Sequence, residues 1–397
     1  MKNLLIIEQN PQNYYPVSLN RRVSKLFSGM MSFEDRVKHI FSEFKIFLNF
    51  REKIDFYDEI DTSYCNEDIY FIESTIKDLD FVKESIRSIP KDRSKVYKNG
   101  ETLLYGFIKA SDIEKFYSRD FSDIECIECN LEYYRYLWEI VNDNHSIIER
   151  DFSLLKSPFR NIEEIDNVTL VNRENIFVRG EIKIKAGSII DGSEGVVVID
   201  EGSEILHNSV VIGPVYIGHS TKIKIGSKIY ENCSFGPVCK IGGEVEAVIF
   251  QGYSNKQHDG FLGHAYIGSW CNFGADTNNS DLKNNYRKVK VELNGELIDT
   301  ESQFAGLFMG DHTKTGINTM FDTGTVVGMG CNVYGEGFPK RVIPSFNWGG
   351  KSKLIKYPVD RIIETSKVVM SRRSCSLSSK EEEYYRDIFR EGESNAW

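Results

Sequence analysis

A period of six residues in the middle of the chain constrains its fold more than any other feature. Between residues 199 and 241 every sixth position is apolar, without a miss. These positions are Ile199, Ile205, Val211, Ile217, Ile223, Ile229, Phe235 and Ile241. This period fits neither a helix nor a strand, and a chance run of β-branched residues would not keep its phase over 43 residues. It predicts a hexapeptide solenoid, in which each coil is three short strands joined by tight turns.

The composition is that of a globular protein. The chain of 397 residues is 41% hydrophobic and 27% charged, with a formal net charge of −10 and no run rich in Lys and Arg, so we expect no nucleic-acid partner. No apolar stretch approaches the roughly 20 residues of a membrane span. Leu4–Ile7 is too short for the core of a signal peptide. We therefore expect a cytoplasmic protein with no membrane partner.

The cysteines do not predict a metal site. Eight are scattered along the chain, and Cys126 and Cys129 form the one CxxC pair. A zinc site built from cysteines usually needs a second pair. We interpret the cysteines as reduced thiols of a cytosolic protein.

Residues 1–165 are expected to form a separate α/β domain, because predicted strands and helices alternate there. A buried first strand is predicted at Lys2–Ile7, and helices are predicted at Phe33–Leu48 and Leu131–Leu155. The loop Gln9–Tyr14 follows the first strand, where nucleotide-binding folds place phosphates. It contains no glycine to let the backbone approach a phosphate closely, which weakens the nucleotide-binding interpretation.

The rest of the chain divides into the solenoid, predicted over residues 166–347, and a C-terminal extension at 348–397. A polar excursion interrupts the solenoid at 278–306. Within it, Asn294-Gly295 between two alternating stretches predicts a β-hairpin. The extension is expected to be partly helical, with a charged helix at Glu381–Arg390.

Polar side chains concentrate between residues 251 and 320. The main ones are Lys256, His258, His264, His312, Lys314 and Asn318. A neutral His can take a proton from an amine that attacks a thioester, an Asn or a backbone N–H can hold the developing oxyanion, and a Lys can hold phosphates. Two alternatives stay open: turn histidines bonded to the backbone, and a histidine metal site, although no HxH or HxxxH spacing supports the latter.

A set of short motifs in the solenoid identifies the family that the chain resembles. They are Ile217-Gly218, Ile267-Gly268 and Val327-Gly328, and the segments 236–244, 258–263, 274–279, 310–312 and 316–321. These motifs resemble a divergent branch of the bifunctional uridyltransferase and acetyltransferase (GlmU-like) family. The resemblance covers residues 160–350 best. It implies a nucleotidyltransferase-like α/β domain followed by a left-handed β-helix, usually trimeric, with acetyl sites between subunits.

The resemblance also implies roles for individual residues. His258 matches the family's acetyltransfer base, and Phe261 stands where the family has a tyrosine. The residues expected to contact the coenzyme are Ala275 and Asn278. The resemblance also implies substrate contacts for Asn272, for the pair Asn285-Tyr286, and for Lys288 or Lys290. Lys256, His312, Lys314 and Asn318 are expected to line the substrate site because they belong to the polar stretch between residues 251 and 320.

The chain departs from the family at several positions. Glu246 stands roughly where the family has a lysine that grips substrate phosphate, and the family's Gly-rich nucleotide loop is missing. Arg21, Arg22 and Lys25 lie downstream of that loop and could supply part of its charge to a nucleotide. The sequence identifies no magnesium ligands and no other metal ligands.

These observations lead to one hypothesis and two alternatives. The leading hypothesis is a homotrimeric transferase that uses acetyl-CoA or another acyl-CoA to acylate an amino sugar phosphate or a nucleotide sugar, with His258 as general base. The first alternative is a sugar-1-phosphate nucleotidyltransferase that uses the N-terminal domain and magnesium. The second is a catalytically silent trimeric scaffold that binds a sugar nucleotide or a protein partner.

Overall fold

The computed structural model describes residues 2–49 and 63–392. These residues form two compact units. The first comprises residues 1–11, 21–26 and 32–135, and the second comprises 12–20, 27–31 and 136–397. The division falls before the predicted domain boundary at residue 165, so the segment 136–165 belongs with the solenoid.

The first unit is built on a mixed six-stranded sheet. In spatial order its strands are Phe44–Leu48, Lys2–Ile7, Ile69–Glu73, Thr102–Ile108, Lys95–Asn99 and Glu125–Glu128. The strand Lys2–Ile7 is parallel to both of its neighbours. Its side chains enter apolar clusters on both faces of the sheet, with Leu4 on one face and Leu5 on the other. A strand buried on both faces explains the continuous apolar run in the sequence.

The helix predicted at Phe33–Leu48 is present only in its first half, and the second half of the prediction is wrong. Ser32 caps the helix by accepting a hydrogen bond from the Asp35 backbone N–H, but the helix ends at Ile40. The segment Phe44–Leu48 is a strand that pairs with Lys2–Ile7. Its aromatic and β-branched residues gain a ladder of hydrogen bonds and burial in the sheet, and this tertiary context overrides the helical spacing. Among the residues of this unit that the structure describes, the other α-helices are Leu79–Ser88 and Ile113–Tyr117.

The second unit is a parallel β-helix, and its coils expose three faces. The first face contains Arg160–Asn161, Ile176–Val178, Val197–Ile199, Val215–Ile217, Cys233–Phe235, Leu307–Met309, Thr325–Val327 and Val342–Ile343. The second contains Lys183–Ile184, Glu204–Ile205, Lys222–Ile223, Lys240–Ile241, Asn255–Lys256, Lys314–Thr315, Asn332–Val333, Asn347–Gly349 and Leu354–Lys356. The third contains Thr169–Val171, Ile189–Asp191, Val210–Ile212, Lys228–Ile229, Asn278–Asn279 and Met320–Phe321. Glu244–Phe250 and Phe261–Ile267 are longer strands that turn a corner and join two faces.

The strand register confirms the predicted repeat. Val198 pairs with Tyr216, and Tyr216 pairs with Ser234, so one coil takes 18 residues, or three hexapeptides. The eight apolar positions of the repeat between residues 199 and 241 are all at most 1% exposed and belong to one core cluster. An α/β region followed by this β-helix confirms the predicted fold class.

The helix predicted at Leu131–Leu155 is two shorter helices, Leu137–Asn142 and Asn144–Leu155. The break has a tertiary cause. The side chain of Asn144 is fully buried; it accepts a hydrogen bond from the Gly29 backbone N–H and donates one to the Asn232 carbonyl. These bonds fix the start of the second helix.

The excursion and the C-terminal extension agree with the predicted elements. Lys290–Leu293 and Glu296–Asp299 form an antiparallel pair around Asn294 and Gly295, both of which have positive φ. The two C-terminal helices are Val359–Ser371 and Ser379–Glu391, and a capping box at Ser378 opens the second. No helix within the described residues is long and apolar enough to cross a membrane.

Candidate functional site

His258 lies at the turn between the short strand Asn255–Lys256 and the strand Phe261–Ile267. Its side chain is exposed. Within the described part of the chain, its imidazole has no hydrogen bond or ion pair. The turn therefore presents an open imidazole to solvent, which is what a general base needs in order to meet a small substrate.

Lys256 does not lie on this open surface. The register pairs it with Ile241 of the preceding coil, so it occupies an inward position of the repeat and is 1% exposed. Its Nζ donates to the carbonyls of Gly242 and His258, both at 3.0 Å. Burial lowers the pKa of Lys256 from 10.5 to about 8. The structure thus corrects the prediction that Lys256 contacts substrate: its side chain holds the turn that carries His258.

A second histidine on the same coil has a carboxylate partner. His264 Nδ1 donates to Asp281 Oδ2 at 2.8 Å, because an ionised carboxylate can only accept. The imidazole also stacks on the ring of Phe304, with centroids 4.7 Å apart. This arrangement leaves Nε2 as the basic nitrogen of the ring. Asp281 and Phe304 come from the two ends of the excursion, so the excursion completes the pair.

Phe261 lies beside this pair. A Cβ built at Gly263 would lie 2.3 Å from Asp281 Oδ2 and 2.6 Å from the Phe261 ring, so ring and carboxylate meet above that glycine. The carboxyl of Glu246 lies nearby; burial raises its pKa, and the electrostatic interaction with His264 acts in the opposite direction. We call Phe261, His264, Asp281 and Phe304 the histidine corner.

The sequence missed the histidine corner as a unit, although it singled out His264 as a polar residue. The signal that could have found it is the coil length. Val245 pairs with Leu262, so neighbouring coils at this point are 17 residues apart. Asp281 follows His264 by the same 17 residues. Counting one coil of 17 residues forward from His264 would have predicted that Asp281 lies next to its imidazole.

Asn278, expected to contact the coenzyme, is used to build the turn. Its Oδ1 accepts from the Phe261 backbone N–H at 2.7 Å, and its Nδ2 donates to the Asp276 carbonyl at 2.8 Å. Ala275 is half-buried, and its carbonyl accepts from the backbone N–H of Asn318, which is itself exposed. Ala275 and Asn318 therefore lie next to each other on the stacked turns of two neighbouring coils, whereas the side-chain amide of Asn278 is already hydrogen-bonded.

The side chain of His312 is buried. It is 2% exposed; its Nδ1 lies 3.0 Å from Ser366 Oγ, and its Nε2 lies 3.1 Å from Tyr385 Oη. Both partners lie on the C-terminal helices. The structure therefore corrects the prediction that His312 lines the substrate site: it fastens these helices to the β-helix. Lys314 is half-buried and donates to the His312 carbonyl at 3.0 Å.

The second face of the β-helix carries a polar ladder at the level of His258. Asn255 pairs with both Lys240 and Asn272, and Asn272 pairs with Lys314. The ladder borders a cavity of about 100 Å³ below the end of the helix Val359–Ser371. The residues around it are Lys240, Tyr253, Asn255, Gln257, Trp270, Asn272, Val369, Arg372 and Arg373. Asn272, a predicted substrate residue, thus lines this cavity.

Three predicted substrate residues lie on the excursion. Tyr286 is 67% exposed, and Asn285 Oδ1 accepts from the Arg287 backbone N–H in a local turn. Lys288 forms an ion pair with Glu301. Nothing within the described residues brings these side chains to the histidine corner, so their role stays a prediction.

The first unit has a polar cluster at the carboxyl ends of its parallel strands. Gln9 Nε2 donates to Glu73 Oε2 at 2.7 Å, and Gln9 Oε1 accepts from Arg119 at 3.0 Å. Glu8 Oε1 accepts from the backbone N–H and the hydroxyl of Ser24. Burial raises the pKa of Glu73 from 4.5 to about 8, so its carboxyl is largely protonated near neutral pH. Ligands of open α/β sheets bind at this edge.

The cations predicted to replace the missing glycine-rich loop differ in access. Arg22 is 1% exposed and donates to the Asn49 carbonyl at 2.8 Å, so it supports the fold of the unit. Arg21 and Lys25 are half-buried. Only the latter two therefore retain access to a nucleotide.

Mg²⁺ binds oxygen ligands, above all carboxylates, and this polar cluster of the first unit contains the carboxyls of Glu8 and Glu73. Residues 2–49 and 63–392 contain no group of three or more His, Cys, Asp or Glu side chains that could hold a metal ion.

Comparisons with known proteins agree with the resemblance. The model of a family described as sugar nucleotidyl transferase matches residues 5–158. The chain is 29% identical over 199 residues to the bifunctional protein GlmU of Methanocaldococcus jannaschii, covering 50% of this chain and 40% of that protein. It is 35% identical over 98 residues to the bifunctional sugar-1-phosphate nucleotidylyltransferase/acetyltransferase of Sulfurisphaera tokodaii, covering 24% of each.

Among solved structures, the chain is similar to the Arabidopsis UDP-N-acetylglucosamine acyltransferase. The TM-score is 0.25 at 13% identity, over 57% of this chain and 90% of that one. The matches to the curated relatives named above span only 40% and 24% of those proteins. Residues 5–158 match the sugar nucleotidyl transferase model, and the chain is similar to a GlmU protein over half of its length.

Proposed function

We propose that this protein is a sugar-phosphate transferase that moves an acyl group from an acyl-CoA to the amine of an amino sugar phosphate or nucleotide sugar. The observation that carries the proposal is a coil of the β-helix with two histidines suited to general-base chemistry. His258 is open to solvent, and His264 is held by Asp281. The GlmU-like family supports the substrate class.

The chemistry follows from the two rings. A neutral imidazole accepts the proton of the acceptor amine as the nitrogen bonds to the thioester carbonyl carbon. The carbonyl oxygen becomes an oxyanion, which a backbone N–H or the amide of Asn272 would stabilise. The oxyanion then collapses and the carbon–sulfur bond breaks. The imidazolium returns its proton to the leaving thiolate, so charge and protons balance.

The two histidines meet different requirements of a general base. His258 matches the base that the resemblance implies and is accessible, but within the described residues nothing orients its ring. His264 has the orienting carboxylate that a base usually needs, and its side chain is 15% exposed. We assign the base to His258, with His264 as the rival within the same proposal.

The experiment measures acyl transfer from acetyl-CoA to glucosamine 1-phosphate and to related amino sugar phosphates, by release of free thiol. Removing the true base should lower kcat by about 10²- to 10⁴-fold. We therefore compare His258→Asn and His264→Asn, with the exposed His207→Asn as matched control. If His264 is the base, Asp281→Asn should also change the pH–rate profile. Unchanged rates in both histidine variants would refute the proposal.

A second candidate function, nucleotidyl transfer, is favoured by the family match over residues 5–158. Its site would lie at the edge of the first sheet, near Glu8, Gln9 and Glu73. It predicts release of pyrophosphate when UTP, dTTP or CTP is mixed with a sugar 1-phosphate and magnesium. Absence of pyrophosphate with all three nucleotides would reject it.

Two simple measurements complete the comparison. A scaffold without activity, as a third candidate, predicts that neither thiol nor pyrophosphate is released. The proposed homotrimer predicts a mass three times that of the 45.6 kDa chain in sedimentation equilibrium.

A further inference from the structure

The cavity beside the polar ladder is lined by three cations from two parts of the fold. Lys240 comes from the second face of the β-helix, and Arg372 and Arg373 directly follow the helix Val359–Ser371. Within the described residues, none of the three forms a salt bridge. Lys222, on the same face, is by contrast paired with Glu204 at 2.7 Å.

Three like charges around one small space repel each other unless something compensates them. The pKa of Lys240 is lowered, mainly by burial and in second place by the positive charge of Arg373. Lys240 is therefore among the charges that repel each other. Among the described residues, no carboxylate lines the cavity. Since opposite charge within a few ångströms is the usual compensation, the lining is incomplete without an anion.

The neutral part of the lining also fits an anion. Asn255, Gln257 and Asn272 bring three side-chain amides to the cavity. Asn255 Nδ2 donates to Asn272 Oδ1 at 3.5 Å, so the amide NH₂ groups of Gln257 and Asn272 are the ones that could donate hydrogen bonds to an anion. Tyr253 and Trp270 stack with centroids 4.4 Å apart and form a rigid wall. The cavity of about 100 Å³ is small beside the roughly 300–1,000 Å³ of pockets that enclose whole ligands. Its size suits one charged group of a ligand.

We propose that this cavity binds a phosphate or pyrophosphate group through Lys240, Arg372 and Arg373. Guanidinium groups match phosphate oxygens in two-point contacts, and lysine adds a point charge. The group is either free phosphate or pyrophosphate, or part of a larger phosphorylated molecule that extends along the ladder. Binding at the cavity does not depend on either histidine, so this proposal goes beyond acyl transfer.

The test is a calorimetric titration of the full chain with pyrophosphate, with CoA and with UTP, in magnesium-free buffer at low ionic strength. We expect Arg373→Gln and Lys240→Gln each to weaken binding by about 10- to 100-fold, as for loss of one charge-assisted hydrogen bond. Arg361→Gln is the matched control, because Arg361 lies on the helix Val359–Ser371 that Arg372 and Arg373 follow, is exposed and pairs with Glu364. It should leave binding unchanged.

The titrants separate the two sources of the phosphate. Tight binding of pyrophosphate itself supports a site for the free group, and binding of CoA or UTP alone supports a site for part of a larger molecule. Arg372→Gln is added because Arg372 is exposed. Its replacement should remove a charge from the cavity without disturbing the fold. Equal affinity of wild type, Arg372→Gln and Arg373→Gln, or no binding by any titrant, overturns the proposal. The assay requires no turnover, so it can succeed where acyl transfer fails.

Discussion

Replacing Lys256 by methionine should change how the stability of the β-helix depends on pH. The pKa of this buried lysine is lowered from 10.5 to about 8, which corresponds to about 3 kcal/mol at about 1.4 kcal/mol for each pKa unit. Between about pH 8 and 10.5 the unfolded lysine keeps its proton while the folded one loses it. The unfolded state then binds more protons, so the free energy of unfolding of the wild type rises with pH.

At pH 7 Lys256→Met removes the cost of the buried charge, but it also removes two hydrogen bonds to carbonyls, worth about 1 kcal/mol each or more. We therefore expect the variant to be as stable as the wild type or about 1–2 kcal/mol more stable at pH 7. By pH 10 the wild type should have regained most of the roughly 3 kcal/mol.

Urea denaturation at pH 7 and pH 10 measures this change, and Lys228→Met is the control because Lys228 is a surface lysine with 58% of its side chain exposed. A difference between Lys256→Met and wild type that is the same at both pH values would show that Lys256 is not desolvated, and the argument would fail.

Two further predictions concern other buried polar groups. Because the folded pKa of Glu73 is raised to about 8, the folded state holds more protons than the unfolded state between about pH 4.5 and 8, so the stability of the first unit should fall as pH rises through this window. Glu73→Gln should remove this decline, and a variant that melts with the wild-type pH dependence would contradict the assignment. His312→Ala should cost about 1–3 kcal/mol by leaving Ser366 and Tyr385 without their partner; faster hydrogen exchange in residues 359–391 checks it, and unchanged exchange would exclude the proposed anchoring role.

The sequence predicted the β-helix well because the pattern repeats. Each coil presents the same inward position to its neighbours, and an error at one position, such as Lys256, does not hide the period. The hairpin at Asn294-Gly295 could also be predicted from a local signal, since its turn needs residues that accept positive φ. Local patterns failed where distant partners decided the outcome. Phe44–Leu48 has helical spacing, yet it is a strand because Lys2–Ile7 offers an edge to pair with.

The candidate site was harder to predict, because function depends on which side chains face solvent. Lys256, His258 and His312 all stood in one polar stretch of sequence, and nothing local separated them. The register turned Lys256 inward, and the C-terminal helices covered His312. Arg372 and Arg373 drew no attention in the sequence, because the β-helix residues that line the cavity with them lie far away along the chain.

The sequence by itself determined that the chain winds into a hexapeptide β-helix after an α/β region, because periodic burial of apolar side chains dominates folding and is written in the residue order. Tertiary structure alone decided which polar side chains are available for chemistry. Stacking of coils 17 or 18 residues apart joins His264 to Asp281 and leaves His258 open. Such pairings follow from coil length and from the covering helices, and no single stretch of sequence contains both partners.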